Sequence, residues 1–398
     1  MNIHPFAAVR PNVSDAALVA SVPYDVVDEA EAKALAAGNP KSFLHVSRPE
    51  IDLAPGTPPS SPQAYAQARK ALDALVADGV LVRDDTPRLY AYRQTMGSHS
   101  QTGIVATFDT KDYLSGVLKQ HEKTRKDKED DRTRHIEALA AHTGPAFLAY
   151  RDDKAVDEIV FHACREKPLY DFTAPDGVGH TVWTIGSGNN CMADELVELF
   201  ARIPVAYIAD GHHRSAAAAR YAEARGFEGE SRYFLAVAFP ASQLRILPYN
   251  RLVSTLNGLS DYEFMSALSA NFTIGRKGER NCRMYFNGRW TDLSWSVPDG
   301  ADVVSALDAS YLQDNLLAPV LGIADPRTNP RISFMGGIRG DAALAAKVDS
   351  GEAAVAFAME PVTIGEIMAI ADAGAIMPPK STWFEPKLRS GLFVHPVS

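Results

Sequence analysis

Val205-Ala206-Tyr207-Ile208-Ala209-Asp210-Gly211-His212-His213-Arg214-Ser215, running on into an alanine-rich stretch to Arg225, is the segment that decides the architecture. A compact apolar strand, a polar turn and a helix follow one another without a spacer, and residues 233–239 read as the next strand. Strand, polar turn, helix, strand is the layout of an α/β ligand site. At the start of such a helix the backbone N–H groups lack partners and the dipole favours an anion. Gly211 lets the main chain approach a ligand closely, and the Arg214 fork matches a phosphate or carboxylate. Ser215 offers a hydroxyl, and His212 or His213 a proton or hydrogen bond near neutral pH. Asp210 has the oxygen chemistry to hold magnesium beside a phosphate. The plainer alternative is a capped helix whose histidines satisfy nearby backbone groups.

Working outward, the elements alternate. A short extended run precedes Pro23-Tyr24-Asp25, and residues 28–37 read as a helix with Asp28 as its N-cap. Residues 51–61 are rich in proline and serine and read as a loop, while 63–78 carry apolar residues at helical spacing. The segments 80–83, 89–94 and 102–109 alternate like strands. Residues 145–150 read as a buried strand, and a glycine-rich turn follows at Gly186 and Gly188. These elements predict an α+β (mixed α/β) protein, with a core at 105–245, an N-terminal mixed segment at 1–104 and a C-terminal mixed segment at 246–398 that folds back on the core.

A second cluster, His121-Glu122-Lys123-Thr124-Arg125, opens a charge-dense stretch that reaches Glu137. If 129–141 is helical, Asp131 and His135 share a face. Glu122 is placed as a general base towards a hydroxyl with His121 beside it, and Lys123 and Arg125 as clamps on phosphoryl oxygens. A mixed-charge helix is otherwise an ordinary solvated face. Two further clusters, Asp325-Pro326-Arg327-Thr328 and Pro379-Lys380-Ser381-Thr382-Trp383-Phe384-Glu385-Pro386-Lys387, concentrate anion-binding groups in turns; their plain reading is a surface turn and a docked tail. No glycine-rich Walker pattern precedes the Lys-Ser-Thr run.

Composition narrows the field. The chain has 398 residues, 46% of them hydrophobic, 27 glycines, 25 prolines and a net charge of −9, which excludes a disordered or collagen-like chain and argues against a nucleic-acid binder. Three scattered cysteines, Cys164, Cys191 and Cys282, make no disulfide framework or zinc ribbon. The first ten residues hold no apolar core of signal-peptide length, so a cytoplasmic protein without membrane association is expected. His-Glu-x-x-His, Cys-x-x-Cys and G-x-S-x-G are all missing from the sequence, and adjacent His212 and His213 make a poor chelate.

Taken together, the ordered motifs resemble the bacterial and archaeal family catalogued as domain of unknown function 1015, also labelled ParB-like. The motifs are Pro23-Tyr24-Asp25-Val26, His45-Val46-Ser47-Arg48-Pro49-Glu50, His121-Glu122-Lys123-Thr124, Asp131-Arg132, Ala209-Asp210-Gly211-His212-His213-Arg214, and the two turns at Asp325 and Pro379. The Asp-Gly-His-His-Arg element is also similar to one in ParB-like free-serine kinases and, more distantly, to turns in ParB proteins and sulfiredoxins. That resemblance implies a ParB-like or sulfiredoxin-like core, phosphate binding by Gly211, His212, His213 and Arg214, and Asp210 near a metal or substrate. It implies magnesium and a nucleotide or pyrophosphate donor as cofactors. Glu122 is the choice for activating a substrate hydroxyl, with Glu50 in reserve. Sulfiredoxin chemistry needs a cysteine where this chain has histidines. The leading expectation is phosphoryl transfer on a small hydroxylated metabolite, with free serine and phosphoserine the first guess, by a small-molecule kinase or phosphotransferase. Its rival is a non-catalytic, nucleotide- or metabolite-binding regulatory module. The expected partner is a small phosphorylated ligand; oligomeric state is left open.

Overall fold

The computed structural model describes residues 1–186, 191–297 and 299–397, and within them the chain is a mixed α/β protein. Gly188 of the expected glycine-rich turn lies outside the described residues; Gly186, with φ of 78°, lies inside them. Two compact units are present: Met1–Leu244 with the returning tail Pro386–Ser398, and Arg245–Glu385.

The first unit is built on a nine-stranded sheet. Its strands are β1 (Ile3–His4), β2 (Leu89–Met96), β3 (His99–Asp109), β4 (Leu118–Lys119), β5 (Ala146–Tyr150), β6 (Tyr170–Thr173), β7 (Gly179–Ile185), β8 (Ala206–Asp210) and β9 (Tyr233–Pro240). Their order is β4-β8-β5-β9-β3-β2-β7-β6, with β1 paired to β3. The pairs β8/β4 and β9/β5 are parallel and the others antiparallel. Strands β5 and β9 are buried along almost their whole length, as continuous apolar runs in a covered sheet should be. Ile104, Leu148, Ile208, Phe234 and Phe200 belong to the core packed on this sheet.

Four helices matter for the site: α1 (Glu29–Ala36), α2 (Pro62–Ala77), α3 (Lys126–Leu139) and α4 (His212–Ala224). Asp28 caps α1 in a capping box with Glu31, as the sequence predicts. Ser61 caps α2. The helix α3 ends where Ala140 turns left-handed at φ 46°, and that turn sends residues 141–144 back along the helix end. Alanines 216–219 are all buried in α4, so small side chains bring this helix close to its neighbours. The extended run expected before Tyr24 is reduced to a single bridge, Ser21 to Ser390, because the following proline and turn leave no ladder to extend.

The second unit has a six-stranded antiparallel sheet: β10 (Tyr249–Val253), β11 (Thr273–Ile274), β12 (Arg280–Phe286), β13 (Arg289–Trp295), β14 (Ile332–Gly336) and β15 (Val355–Met359). Their order is β11-β13-β12-β15-β10-β14. Leu293, Phe264, Leu316 and Phe357 lie in its core. Among the described residues no helix is long and apolar enough to cross a membrane.

Candidate functional site

Asp210 ends β8, and Gly211 turns the chain into α4 with φ of 90°. That backbone conformation is nearly closed to L side chains, and a Cβ here would also stand 3.2 Å from the Ala146 Cα and 3.1 Å from Arg214 Nε. Both the backbone conformation and the tight surroundings therefore favour glycine. The Gly211 N–H donates to Asp210 Oδ1 at 2.9 Å, and the other carboxylate oxygen receives Lys387 Nζ at 3.2 Å. One turn along α4, Arg214 Nη2 stands 3.7 Å from Asp210 Oδ2 and 3.8 Å from Asp25 Oδ2. Its Nη1 donates to the Pro145 carbonyl, while its buried Nε has no hydrogen-bond partner. Burial opposes ionisation of Asp210, but Lys387 and Arg214 outweigh it and hold the carboxyl well below the usual carboxylate range.

Around this junction sit the candidate histidines His121, His212 and His213. His212 is buried, its Nδ1 is 3.7 Å from Glu122 Oε2, and its Nε2 has no partner. Its ring meets that of His121 edge-on at 4.6 Å. Burial lowers the His212 pKa to about 4 against the pull of Asp210. Burial and then His212 lower that of His121 to about 3. Both rings are thus neutral at pH 7 and serve as hydrogen-bonding groups rather than cations. His213 Nε2 accepts the Arg125 backbone N–H at 3.1 Å, and burial lowers its pKa too. The α4 start and the 121–125 loop are joined by these contacts.

The remaining expected residues divide by exposure. Glu122 is one-third exposed at the rim of the junction. Lys123 is exposed, and the exposed Arg125 pairs with Asp127 at 2.9 Å. Ser215 is fully buried with an unpartnered Oγ. Glu50, the reserve base, is buried with Oε1 held at 2.6 Å by Arg48 and Oε2 unpartnered. Arg327 and Lys380 belong to the second unit. There Arg327 lies 3.6 Å from Asp325, and Lys380 sits over the Tyr249 ring at 5.2 Å. The lysine on Asp210 is Lys387, the last residue of the 379–387 motif, 177 residues away along the chain.

Two groups of residues escaped selection. Asp25, read as a turn residue, neighbours Arg214. Arg132 lies on α3 with its guanidinium 4.1 Å from the centre of the Tyr24 ring, and Asp131 Oδ2 fixes it from Nε and Nη2 at 3.0 and 2.6 Å. Both Arg132 and Arg214 line a partly open cleft together with Tyr24, Ser47, His142 and Gly144. The charge run of α3 therefore splits: Lys126 and Asp130 form an exposed pair, whereas Arg132 is turned inward.

The donor set at Asp210 does not fit a protein-held magnesium. Both carboxylate oxygens are already engaged by an N–H and two cations, and no group of three or more ligating side chains exists among the described residues.

No curated protein matches the sequence. Among solved structures the chain is similar to "SbnI with C-terminal truncation" from Staphylococcus aureus, at 12% identity, covering 74% of this chain and 87% of that one, with a TM-score of 0.41. It is similar to a conserved hypothetical protein from Pyrococcus furiosus, at 14% identity, 73% and 95% coverage and a TM-score of 0.37. A free serine kinase in complex with AMP is similar at 12% identity, 73% and 91% coverage and a TM-score of 0.37. The family model described as "Protein of unknown function (DUF1015)" matches residues 3–310, more than three-quarters of the sequence, and the chain belongs to that family.

Proposed function

We propose that the Asp210–Arg214 junction binds the phosphate chain of a nucleotide or pyrophosphate and transfers a phosphoryl group to the hydroxyl of a small metabolite, with L-serine the first acceptor to try. One observation carries the reading. A buried guanidinium with an unpartnered Nε stands at the start of a 13-residue helix, beside a lysine that shares its carboxylate. Helix N–H groups, Arg214 and Lys387 are a set of donors made for phosphoryl oxygens.

In the transfer step the acceptor hydroxyl oxygen attacks the terminal phosphorus as the bond to the leaving phosphate oxygen breaks. The electron pair of that bond stays on the leaving group, and the hydroxyl proton goes to Glu122. His212, neutral and 3.7 Å from Glu122, orients that carboxylate. Lys123 and Arg125 at the rim face the charge on the donor. Asp210, held ionised, fixes Lys387 and Arg214 in place. No step is routed through a metal.

Calorimetric titration with ATP, ADP and pyrophosphate, paired with mass spectrometry for phosphoserine, tests the reading. Arg214→Ala is expected to weaken phosphate binding at least 100-fold. Glu122→Gln is expected to leave binding intact and slow product formation about 100-fold. Normal phosphate binding by Arg214→Ala would overturn the assignment. The crowded carboxylate of Asp210 favours one rival, a binding module without turnover, and saturable nucleotide binding with no product from any donor would select it.

A further inference from the structure

The cleft beside the junction has its own chemistry. Five segments distant in sequence supply it: the Tyr24 turn, Ser47, the inward face of α3 with the 141–144 return, Arg214, and Ser390 of the returning tail. Arg132 is locked in plane, because Asp131 binds its Nε and Nη2 while Asp131 Oδ1 accepts from the Tyr65 hydroxyl at 2.7 Å. Both hydrogen bonds of this guanidinium leave from Nε and Nη2, so among the described residues its Nη1 makes none. Arg214 Nε, Ser47 Oγ and His142 Nε2 are buried and unpartnered. Ser47 and His142 are each only 7% exposed. Buried polar atoms without partners cost free energy, and their gathering around one cavity needs an occupant to explain it.

The lining also selects among occupants. Arg132 covers one face of Tyr24 and takes that face from a nucleobase. The apolar part of the wall is limited to Pro23, Ile136 and Ala141. Both guanidinia act electrostatically on Tyr24, which places two cations around one phenol. Buried His142 is neutral, its pKa lowered to about 3 by burial, so it adds a hydrogen bond and not a charge. Two guanidinia, each with one nitrogen to give, suit an anion that presents one oxygen to each.

We propose that this cleft seats the acid group of the acceptor: the ligand is a small hydroxy or amino acid whose carboxylate bridges Arg132 and Arg214, with Ser47 and His142 completing its hydrogen bonds. The binding claim stands on the cleft alone, and only the word acceptor rests on the phosphoryl-transfer reading. Arg214 serves both places: its unpartnered Nε is left for the acid, and its Nη2, whose ion pairs with Asp210 and Asp25 are 3.7 and 3.8 Å long, for the phosphate donor.

The test uses the full chain and calorimetry with L-serine, D-glycerate and L-malate, with ethanolamine as the analogue lacking a carboxylate and inorganic phosphate as the rival anion. At least one acid should bind while ethanolamine does not. Arg132→Gln should weaken that acid at least tenfold and leave ATP affinity within twofold. Ser47→Ala breaks no protein hydrogen bond and should weaken the acid about threefold; it replaces Arg132→Gln if that variant fails to fold. Binding of ethanolamine as tight as L-serine, no binding of any acid, acid binding indifferent to the variants, or inorganic phosphate outcompeting every acid at this site would each overturn the proposal. Acid binding without ATP binding would instead sink the phosphoryl-transfer reading and leave the cleft assignment standing.

Discussion

All eleven histidines of the chain lie in the first unit, whereas the second unit has none. Six of them, His121, His135, His142, His180, His212 and His395, are buried, and burial lowers each pKa to about 3 or 4. The second unit keeps a different buried ioniser. Asp308 is 8% exposed, with Oδ1 3.7 Å from Arg280, and burial raises its pKa to about 6 despite that arginine. One unit thus hides bases that resist protonation and the other hides an acid that welcomes it. The difference assigns opposite acid responses to two parts of one chain.

Unfolded histidine titrates near 6.5, so below that pH the unfolded first unit takes up protons that the folded unit refuses. Each buried histidine then withdraws about 1.4 kcal/mol of stability per pH unit until its folded pKa is reached. For Asp308 the folded pKa lies above the unfolded one, so its burden is present above pH 6 and is relieved as pH falls towards 4, by about 1–2 kcal/mol. Hydrogen exchange between pH 7 and 5, corrected for intrinsic rates, should show protection collapsing in β2, β3, β5 and β9 while β12 and β15 hold theirs. Equal loss in both units would break the contrast.

A smaller effect separates two glycines that each stand at a helix start with positive φ. Gly211 has φ of 90° and a Cβ position already crowded by the Ala146 backbone and Arg214. Gly340, which opens the helix α5 (Gly340–Asp349) in the second unit, has φ of 74° and nothing within 4 Å of a Cβ. Gly340→Ala bears backbone strain alone, about 1–3 kcal/mol at φ 74° and ψ 173°, whereas Gly211→Ala combines milder strain at φ 90° and ψ 29° with crowding by Ala146 and Arg214 and should cost about 2–3 kcal/mol. Urea denaturation measures both. Since the added methyl presses on Arg214, Gly211→Ala should also weaken pyrophosphate binding, and an unchanged affinity would show that the close approach is not used.

What was legible in the sequence follows from distance along the chain. The strand–Gly211–helix unit could be read because an apolar run, a turn residue and a helix start are neighbours in sequence. Asp28 and its capping box were legible for the same reason. Lys387 could not be chosen over Lys380, because its partner Asp210 is 177 residues away and the tail returns to the first unit through bridges such as Val9 to Val394. Arg132 was hidden by its own company. Helical spacing correctly put Asp131 and His135 on one face, but periodicity in a run with so many charges does not say which one is turned inward.

The turn at Asp325–Arg331 tests how far composition can be trusted, since it too combines an aspartate, arginine and a hydroxyl, as the Asp210 turn does. In the second unit those residues explain themselves locally. Asp325 Oδ1 accepts the Arg327 backbone N–H at 2.9 Å, and its carbonyl accepts the Asn329 N–H at 3.1 Å, so the aspartate is there to shape the turn. Arg331 donates to Asn257 and to the Gly322 carbonyl at 3.1 and 3.0 Å. The side chain of Arg327 is 60% exposed, and its 3.6 Å contact with Asp325 is a surface pair of the kind worth little. Arg214, by contrast, is 13% exposed between two carboxylates and keeps an unpartnered nitrogen. Arg327→Ala should therefore change stability by no more than about 0.5 kcal/mol. It should leave ATP and pyrophosphate affinity within twofold, a result read from the same titrations that show Arg214→Ala to be severe. A tenfold loss of phosphate affinity in Arg327→Ala would give the second unit a share in the site and erase the distinction between the two turns.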